Sequence, residues 1–171
     1  CKMLNSKVHQ GQPVATAGTA LDSAKAAMIM VHGRGGMAQQ ILQLADMFNM
    51  GDFAYIAPQA SGMSWYPQRF IAPRDSNEPY LSSALQAVDD AVQQAEDAGI
   101  PRDKIMLLGF SQGACLAAEY AARNPAHYGG VAVLSGGLIG APGELEGYTG
   151  ALDNTPVLLG CSDVDFHIPV E

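Results

Sequence analysis

Apolar residues follow two alternating patterns along this chain. Short, mostly apolar runs occupy residues 28–31, 53–57, 104–108, 131–134 and 157–159. Runs of this length predict buried strands. Between them, spacings of three and four residues predict helices over residues 38–48, 81–95 and 114–123. Strands that alternate with helices in this way predict a parallel sheet covered by helices.

The connection between the second strand and the long helix is unusually long and aromatic. It covers residues 59–77 and contains Met63, Trp65, Tyr66 and Phe70. Long connections in a compact domain are usually functional, and aromatic side chains on a surface loop need an apolar partner. An apolar part of a substrate would be such a partner, so these four residues are predicted to bind substrate. The alternative is that Trp65 pins the loop to the core.

The composition fits one globular domain over residues 1–171. Hydrophobic residues make up 48% of the chain and charged residues 15%, with 9 Lys and Arg against 17 Asp and Glu and a formal net charge of −8. Because phosphate binding needs clustered basic side chains, this balance excludes nucleic acid as a partner and disfavours anionic membrane surfaces. The longest uncharged stretch, residues 125–143, is broken by repeated Gly and two Pro and predicts no membrane span.

The cysteines predict a reduced protein. Cys1, Cys115 and Cys161 are odd in number, far apart and not part of a CxxC pair. That pattern favours a cytoplasmic location over a disulfide-rich or zinc-binding scaffold. The polar N-terminal residues also contain no apolar run of the kind that a signal peptide needs.

The strongest chemical signal is the sequence Gly-Phe-Ser-Gln-Gly at residues 109–113, which follows a predicted strand and opens a predicted helix. In that context the motif is typical of a nucleophile elbow, a turn so tight that Gly109 and Gly113 must lack a Cβ. The turn exposes the Ser111 hydroxyl beside the positive N-terminus of the helix. Ser111 is therefore predicted as a nucleophile. The alternative is a glycine-rich turn with a bystander serine.

A second glycine-rich turn, His-Gly-Arg-Gly-Gly at residues 32–36, directly follows the first strong strand. Its flexible backbone can direct N–H groups towards a carbonyl oxygen, where one such donor is typically worth about 3 kcal/mol of transition-state stabilisation. A phosphate-binding loop is the alternative, but the turn has neither the Walker Lys-Ser/Thr pair nor a GxGxxG spacing. An oxyanion-hole loop is the favoured interpretation.

A nucleophilic serine also needs a general base, usually a histidine that a carboxylate orients. Asp163 and Asp165 follow the predicted strand at 157–159, where ligands bind in α/β folds. The chain has four histidines, His9, His32, His127 and His167. None lies at the late position expected for a hydrolase base, and His167 is too close to Asp165 to bridge easily to Ser111.

Asp163, Asp165 and His167 are also residue types that bind metal ions. Ligands two positions apart on a short loop rarely complete a metal site, so no metal or other cofactor is expected.

These segments together resemble the phospholipase/carboxylesterase family of α/β-hydrolases, which includes acyl-protein thioesterases and small bacterial esterases. The matching segments are VHGRGG at 31–36, APQ at 57–59 with SWY at 64–66, NEP at 77–79, GFSQGA at 109–114, LSGG at 134–137 and DFHIP at 165–169. The resemblance implies Ser111 as the nucleophile and Asp165, four residues before Pro169, as the acid of the triad. It also implies that the backbone N–H groups of Arg34 and Gln112 form the oxyanion hole.

The same resemblance implies an α/β-hydrolase fold, with a mostly parallel, doubly wound sheet and helices on both faces. A flavodoxin-like or other open α/β fold is the alternative, but it would leave the serine elbow without a role. In the family, the catalytic histidine lies a few tens of residues beyond the aspartate, after one more helix and strand, and that part is missing from this chain. The chain is either a piece of a longer enzyme, which is the favoured interpretation, or a protein that binds without turnover.

The expected function is hydrolysis of carboxylic ester or thioester bonds through an acyl-enzyme intermediate. Ser111 would attack the acyl carbonyl, and Asp165 would orient the histidine that takes its proton. Because no lid domain is encoded, we expect an open, shallow cleft for small-molecule esters with short to medium acyl chains. The Arg34 side chain is expected to point to solvent or to pair with an acid. A non-catalytic binding module is the alternative function, and the sequence leaves a homodimer open.

Overall fold

The fold is built on one six-stranded sheet, which the computed structural model describes over residues 7–48 and 50–162. The strands are β1 (Val14–Gly18), β2 (Ala26–Val31), β3 (Phe53–Pro58), β4 (Ile105–Phe110), β5 (Gly130–Leu134) and β6 (Val157–Gly160). Their spatial order is β1-β3-β2-β4-β5-β6. β1 is antiparallel to β3, and every other neighbouring pair in this sheet is parallel. The mostly parallel sheet predicted from the sequence is confirmed.

Helices cover both faces of this sheet. The described helices are α1 (Ala38–Leu42), α2 (Ala45–Phe48), α3 (Tyr80–Asp97) and α4 (Gln112–Arg123). Because side chains alternate along a strand, Ile29 and Leu107 pack in one cluster with α3 and α4, whereas Met30 and Leu108 pack with α1 on the other face. None of the helices in the described part of the chain is long and apolar enough to cross a membrane.

The order of the strands creates a crevice at one edge of the sheet. The chain runs from β2 outwards to β3 and then returns, through α3, to β4 on the other side of β2. At such a reversal the loops that follow two neighbouring strands diverge, and ligands bind between them. The register pairs Val31, the last residue of β2, with Gly109 near the end of β4. The glycine-rich turns after β2 and β4 therefore meet in this crevice.

The structure differs from the predicted elements at two places. The helix predicted over residues 38–48 is two short helices, because the N–H groups of Gln43 and Leu44 donate to carbonyls three residues back, at 3.2 and 3.1 Å. After this tightened turn Phe48 is 37% exposed, although it was predicted to share a face with the buried Ile41. β1 was not predicted, because an edge strand whose residues are exposed or half-buried has no continuous apolar run.

Candidate active site

Ser111 lies in the strained turn that connects β4 to α4. Its φ is 53° and its ψ is −118°, and residues other than glycine rarely adopt such a positive φ. The Ser111 N–H donates to the Leu134 carbonyl at 2.9 Å, and its carbonyl accepts from the Cys115 N–H at 3.1 Å. Strand β5 and helix α4 thus hold the strained residue in place, and Ser111 is exposed at the carboxyl edge of the sheet. This is the geometry of a nucleophile elbow.

Both glycines of the turn are required by its close packing. A Cβ on Gly109 would lie 2.6 Å from the Ala114 nitrogen, and a Cβ on Gly113 would lie 2.6 Å from the Val31 carbonyl carbon. Side chains do not tolerate contacts this short with backbone atoms. Only glycine at these positions lets α4 approach β4 and β2 closely enough to begin directly after Ser111.

The loop after β2 packs directly against the nucleophile. A Cβ on Gly33 would lie 3.3 Å from the Ser111 Cβ. Nothing among the described residues accepts a hydrogen bond from the Arg34 N–H. Gln112 is the first residue of α4, so its N–H has no acceptor within the helix. The residues that carry the two expected oxyanion donors therefore line the same cavity as Ser111.

The Arg34 side chain ties the oxyanion loop to the aromatic loop. One guanidinium nitrogen donates to the Ser64 hydroxyl at 3.1 Å and to the Pro67 carbonyl at 3.2 Å, and the other donates to the Gln68 carbonyl at 3.1 Å. Arg34 is exposed, in agreement with the expectation that its side chain points to solvent, and its bonds run to neutral acceptors and not to an acid. Carbonyl dipoles of the neighbouring loop partly compensate its charge.

A cavity of about 400 Å³ opens beside Ser111. It brings together five of the residues that the sequence predicted for the site. Its wall is formed by Arg34, Tyr66, Gln68, Arg69, Phe70, Phe110, Ser111, Gln112, Cys115 and Ser135. The nucleophile, the expected oxyanion residues and two aromatic residues of the 59–77 connection thus share one space.

Some wall residues were missed although the sequence carried a signal for them. Phe110 lies within the GFSQG motif, and Cys115 follows Ser111 by four residues, one turn along α4. Ser135 belongs to the LSGG segment that supported the family resemblance, and its φ of 59° turns the chain beside the elbow. Helical spacing from the nucleophile would have found Cys115. The other two require knowledge of where side chains point after a strand ends.

The structure places Met63 and Trp65 outside this cavity. Trp65 is 0% exposed, and its indole N–H donates to the His32 carbonyl at 2.8 Å. A side chain without exposed surface offers nothing to a substrate, so the packing supports the alternative in which Trp65 pins the loop. Met63 is 45% exposed and lines a second cavity beside β1 and α1. Phe70, which is half-buried, remains as the aromatic part of the predicted substrate wall, and Tyr66 lies behind it at the cavity with 1% of its surface exposed.

Tyr66 and Cys115 form a neutral part of the cavity wall. Both residues are at most 2% exposed. Burial is the main cause that raises the pKa of Tyr66 well above its usual range, and it also raises the pKa of Cys115. The Cys115 thiol accepts the Gly137 N–H at 3.4 Å. The thiol therefore stays protonated at neutral pH, which makes Cys115 a packing residue and not a second nucleophile.

The described histidines are engaged away from Ser111. His32 is buried; its Nδ1 lies 2.8 Å from the Gly33 carbonyl, and its Nε2 accepts the Ala60 N–H at 3.0 Å. Burial lowers the pKa of His32, which favours the neutral ring that these contacts need. His9 uses both ring nitrogens on the aromatic loop, and His127 is exposed after α4. His32 thus fixes the oxyanion loop.

Asp163, Asp165 and His167 lie outside the described residues. The strand predicted before them is confirmed as β6, which pairs with β5. At its carboxyl end the Ser135 N–H donates to the Gly160 carbonyl at 2.6 Å. Because Ser135 also lines the cavity, the chain leaves β6 at the edge of the sheet that carries Ser111.

Comparison with known proteins identifies the family. Residues 18–171 match the phospholipase/carboxylesterase family. The chain belongs to this family. It is 30% identical to acyl-protein thioesterase 1 of Saccharomyces cerevisiae over an alignment of 170 residues. The alignment covers 88% of this chain and 74% of the yeast protein. Family membership places the protein among hydrolases of the esterase and thioesterase type.

Solved structures confirm the α/β-hydrolase fold and exclude the flavodoxin-like alternative. The crystal structure of a phospholipase/carboxylesterase from Dyadobacter fermentans is 42% identical, with a TM-score of 0.89 over 94% of this chain and 77% of that one. The structure of esterase PE8, at 24% identity, has a TM-score of 0.74 over 93% of this chain and 77% of that one, and it shares the fold.

Proposed function

We propose that this protein hydrolyses carboxylic ester or thioester bonds with Ser111 as its nucleophile. The observation that carries the proposal is the strained Ser111 turn, which exposes a serine hydroxyl in the wall of a 400 Å³ cavity. Backbone strain at one exposed polar residue, held by a strand and a helix, is typical of a reacting group. Membership of an esterase family supports the same assignment.

In the proposed mechanism, Ser111 Oγ attacks the acyl carbonyl carbon and its proton passes to a general base. The negative oxygen of the tetrahedral intermediate is stabilised by the N–H groups of Arg34 and Gln112 and by the positive end of α4. Collapse of the intermediate expels the alcohol or thiol, which takes the proton from the base, and leaves an acyl-enzyme. Water, activated by the same base, then releases the acid.

The general base comes from outside the described residues. His9 and His32 have both ring nitrogens in hydrogen bonds, and His127 lies on the surface after α4. The family resemblance assigns the role of orienting the base to Asp165. The chain leaves β6 at the correct edge of the sheet for that role.

The cavity favours small substrates with short to medium acyl chains. Phe70, which is half-buried, and Phe110, which is 50% exposed, give it apolar surface. Apolar pockets with a few directed polar groups are typical of small-molecule sites.

We further propose a cytoplasmic location. It is supported by Cys115 and Cys161, because neither is disulfide-bonded within the described residues.

Labelling with a fluorophosphonate probe tests the nucleophile. We expect covalent labelling of the full-length protein, loss of that labelling in Ser111→Ala, and unchanged labelling in Ser82→Ala, which changes an exposed serine on α3. An adduct that persists in Ser111→Ala would assign the chemistry to another residue. Absence of any adduct in the wild type would favour the non-catalytic binding module instead.

A further inference from the structure

A buried histidine far from Ser111 in the sequence holds the aromatic loop. His9 is 3% exposed; its Nε2 lies 2.8 Å from the Trp65 carbonyl, and its Nδ1 accepts the Ser61 N–H at 3.0 Å. Its own N–H donates to the Ser83 hydroxyl on α3 at 2.9 Å. A neutral ring with its proton on Nε2 satisfies both loop contacts at once. The N-terminal segment is thus connected through His9 to the residues beneath the site.

Trp65 extends this connection to both sides of the active site. Its backbone N–H donates to Gln112 Oε1 at 2.8 Å, and its indole N–H donates to the His32 carbonyl at 2.8 Å. Gln112 Nε2 in turn donates to the Tyr66 carbonyl at 2.8 Å. Gln112 directly follows the nucleophile, and His32 directly precedes the glycine-rich oxyanion loop. One tryptophan therefore braces both segments that carry the proposed oxyanion donors.

We propose that His9 is a positioning residue for hydrolysis at Ser111, because it fixes residues 61–65 and through them the N–H groups of Gln112 and Arg34. The inference rests on the proposed function. Oxyanion donors accelerate a reaction because they are already in place when charge develops. A small displacement of these donors lowers kcat more than it weakens substrate binding. His9 itself touches neither Ser111 nor the cavity wall.

Protonation of His9 would break the arrangement, because a proton on Nδ1 would face the Ser61 N–H. Burial lowers the pKa of His9, while the hydrogen bond to the Trp65 carbonyl acts in the opposite direction. The titratable side chain that the described contacts place near it is His32, across the Trp65 ring. His32 brings no carboxylate that would compensate a charged ring. The positioning is therefore lost on acidification.

The fluorescence of Trp65 tests the contact without any assay of activity. Trp65 is the only tryptophan of the chain, and its ring centroid lies 5.2 Å from that of His9. A charged imidazole at this distance quenches indole emission. We expect the Trp65 emission of the full chain to fall as the pH drops below about 6.5. His9→Gln should remove the part of this decrease that protonation of His9 causes. His127→Gln, which changes an exposed histidine after α4, should keep the wild-type response.

Kinetics test the role in catalysis. His9→Gln keeps one donor and one acceptor, whereas His9→Ala keeps neither. Near pH 8 and well below the melting temperature, we expect His9→Ala to lower kcat for p-nitrophenyl acetate and the rate of Ser111 labelling about ten-fold, less than the loss of a whole oxyanion donor. KM should stay within about two-fold. His9→Gln should restore most of the rate. Its kcat should also lack the part of the decrease at acidic pH that protonation of His9 causes in the wild type.

The outcomes separate this inference from the proposed function. A wild-type protein whose Ser111 does not react would overturn the proposed function and the inference with it. A reactive wild type together with a folded His9→Ala that labels at the wild-type rate would overturn only the inference. A lower melting temperature with unchanged kcat would likewise overturn it, because His9 would then stabilise the fold without positioning the donors. If His9→Ala does not fold, the comparison of His9→Gln with the wild type across pH decides.

Discussion

At the scale of single residues, Glu119 shows how a buried charge becomes tolerable in this fold. Its side chain is 0% exposed; one oxygen lies 2.7 Å from Arg123 and 3.4 Å from Arg74. The other oxygen accepts the Tyr148 hydroxyl at 2.8 Å and the Ile139 N–H at 2.9 Å. Burial and the nearby Glu119 raise the pKa of Tyr148 to about 12, so its hydroxyl keeps the proton that it donates. The carboxylate thus ties the loop after β5 to α4.

Glu119→Gln is expected to lower the free energy of unfolding by about 3 kcal/mol, because it leaves two arginines beside a neutral amide. The matched control is Glu96→Gln, which removes the partner of Arg102 at a position where the side chains are 25% and 34% exposed. We expect that loss to stay below about 1 kcal/mol. Urea unfolding followed by Trp65 fluorescence measures both. Equal losses in the two variants would contradict this account of Glu119.

Phe70 is expected to set the preference for acyl-chain length. In a series of p-nitrophenyl esters on the full-length protein, kcat/KM should peak at short to medium chains. Phe70→Ala should lower kcat/KM for butyrate about ten-fold while changing the acetate value less, because it removes apolar surface from the cavity wall. Ile71→Ala, which changes the exposed neighbour, is the control. An optimum at palmitate, or an unchanged preference in Phe70→Ala, would argue against this wall.

At the scale of elements, the strand–turn–helix unit around Ser111 depends on the close approach of α4 to β2. A Cβ on Gly113 would overlap the carbonyls of Val31 and His32, which are backbone atoms that cannot move aside. We expect Gly113→Ala to cost about 4 kcal/mol or more, or to prevent folding. Gly51→Ala, where a Cβ meets nothing within 4 Å, should change stability by less than about 0.5 kcal/mol. Thermal melts decide, and a wild-type melting temperature for Gly113→Ala would refute the packing argument.

Elements whose local pattern agrees with their packing were predictable from the sequence. The five strands from β2 to β6 and the helices α3 and α4 are of this kind. β1 was missed, because an edge strand of small residues is stabilised by its pairing with β3 and not by its own apolar pattern. The break between α1 and α2 was missed because the apolar spacing continues across Gln43 and Leu44 while the hydrogen bonds tighten there.

For the candidate site, too, the sequence predicted what local motifs determine and missed what distant contacts determine. The grouping of Ser111, Arg34 and Gln112 around one cavity was predictable, because the glycine-rich motifs that hold them are contiguous in the sequence. The position of Trp65 was not, since it is decided by contacts with His32 and Gln112, which lie 33 and 47 positions away along the chain. Nothing in a local pattern records which distant backbone group will meet an indole. The sequence could therefore name Trp65 as important without assigning its role.

At the scale of the whole molecule, two effects of acidification oppose each other. The formal net charge is −8 at neutral pH, so added protons relieve repulsion among the acidic side chains and favour the folded state. His9 and His32 act in the opposite direction, because burial lowers the pKa of both. The unfolded chain, whose histidines have a pKa of about 6.5, then binds protons that the folded protein does not bind. This contribution lowers stability as the pH falls below about 6.5 towards the folded-state values.

Comparison of the wild type with His9→Gln separates these effects, because the rest of the charge changes equally in both proteins. Near pH 8 we expect His9→Gln to be the less stable, since glutamine fits the two loop contacts less well than the ring. Near pH 5 the difference should shrink or reverse, because only the wild type bears the cost of a buried His9 that resists protonation, whereas His32 is present in both proteins. Urea midpoints by circular dichroism at the two pH values give the result, with His127→Gln as the exposed-histidine control. A difference that grows on acidification would mean that folding raises the pKa of His9, opposite to the direction that its burial dictates.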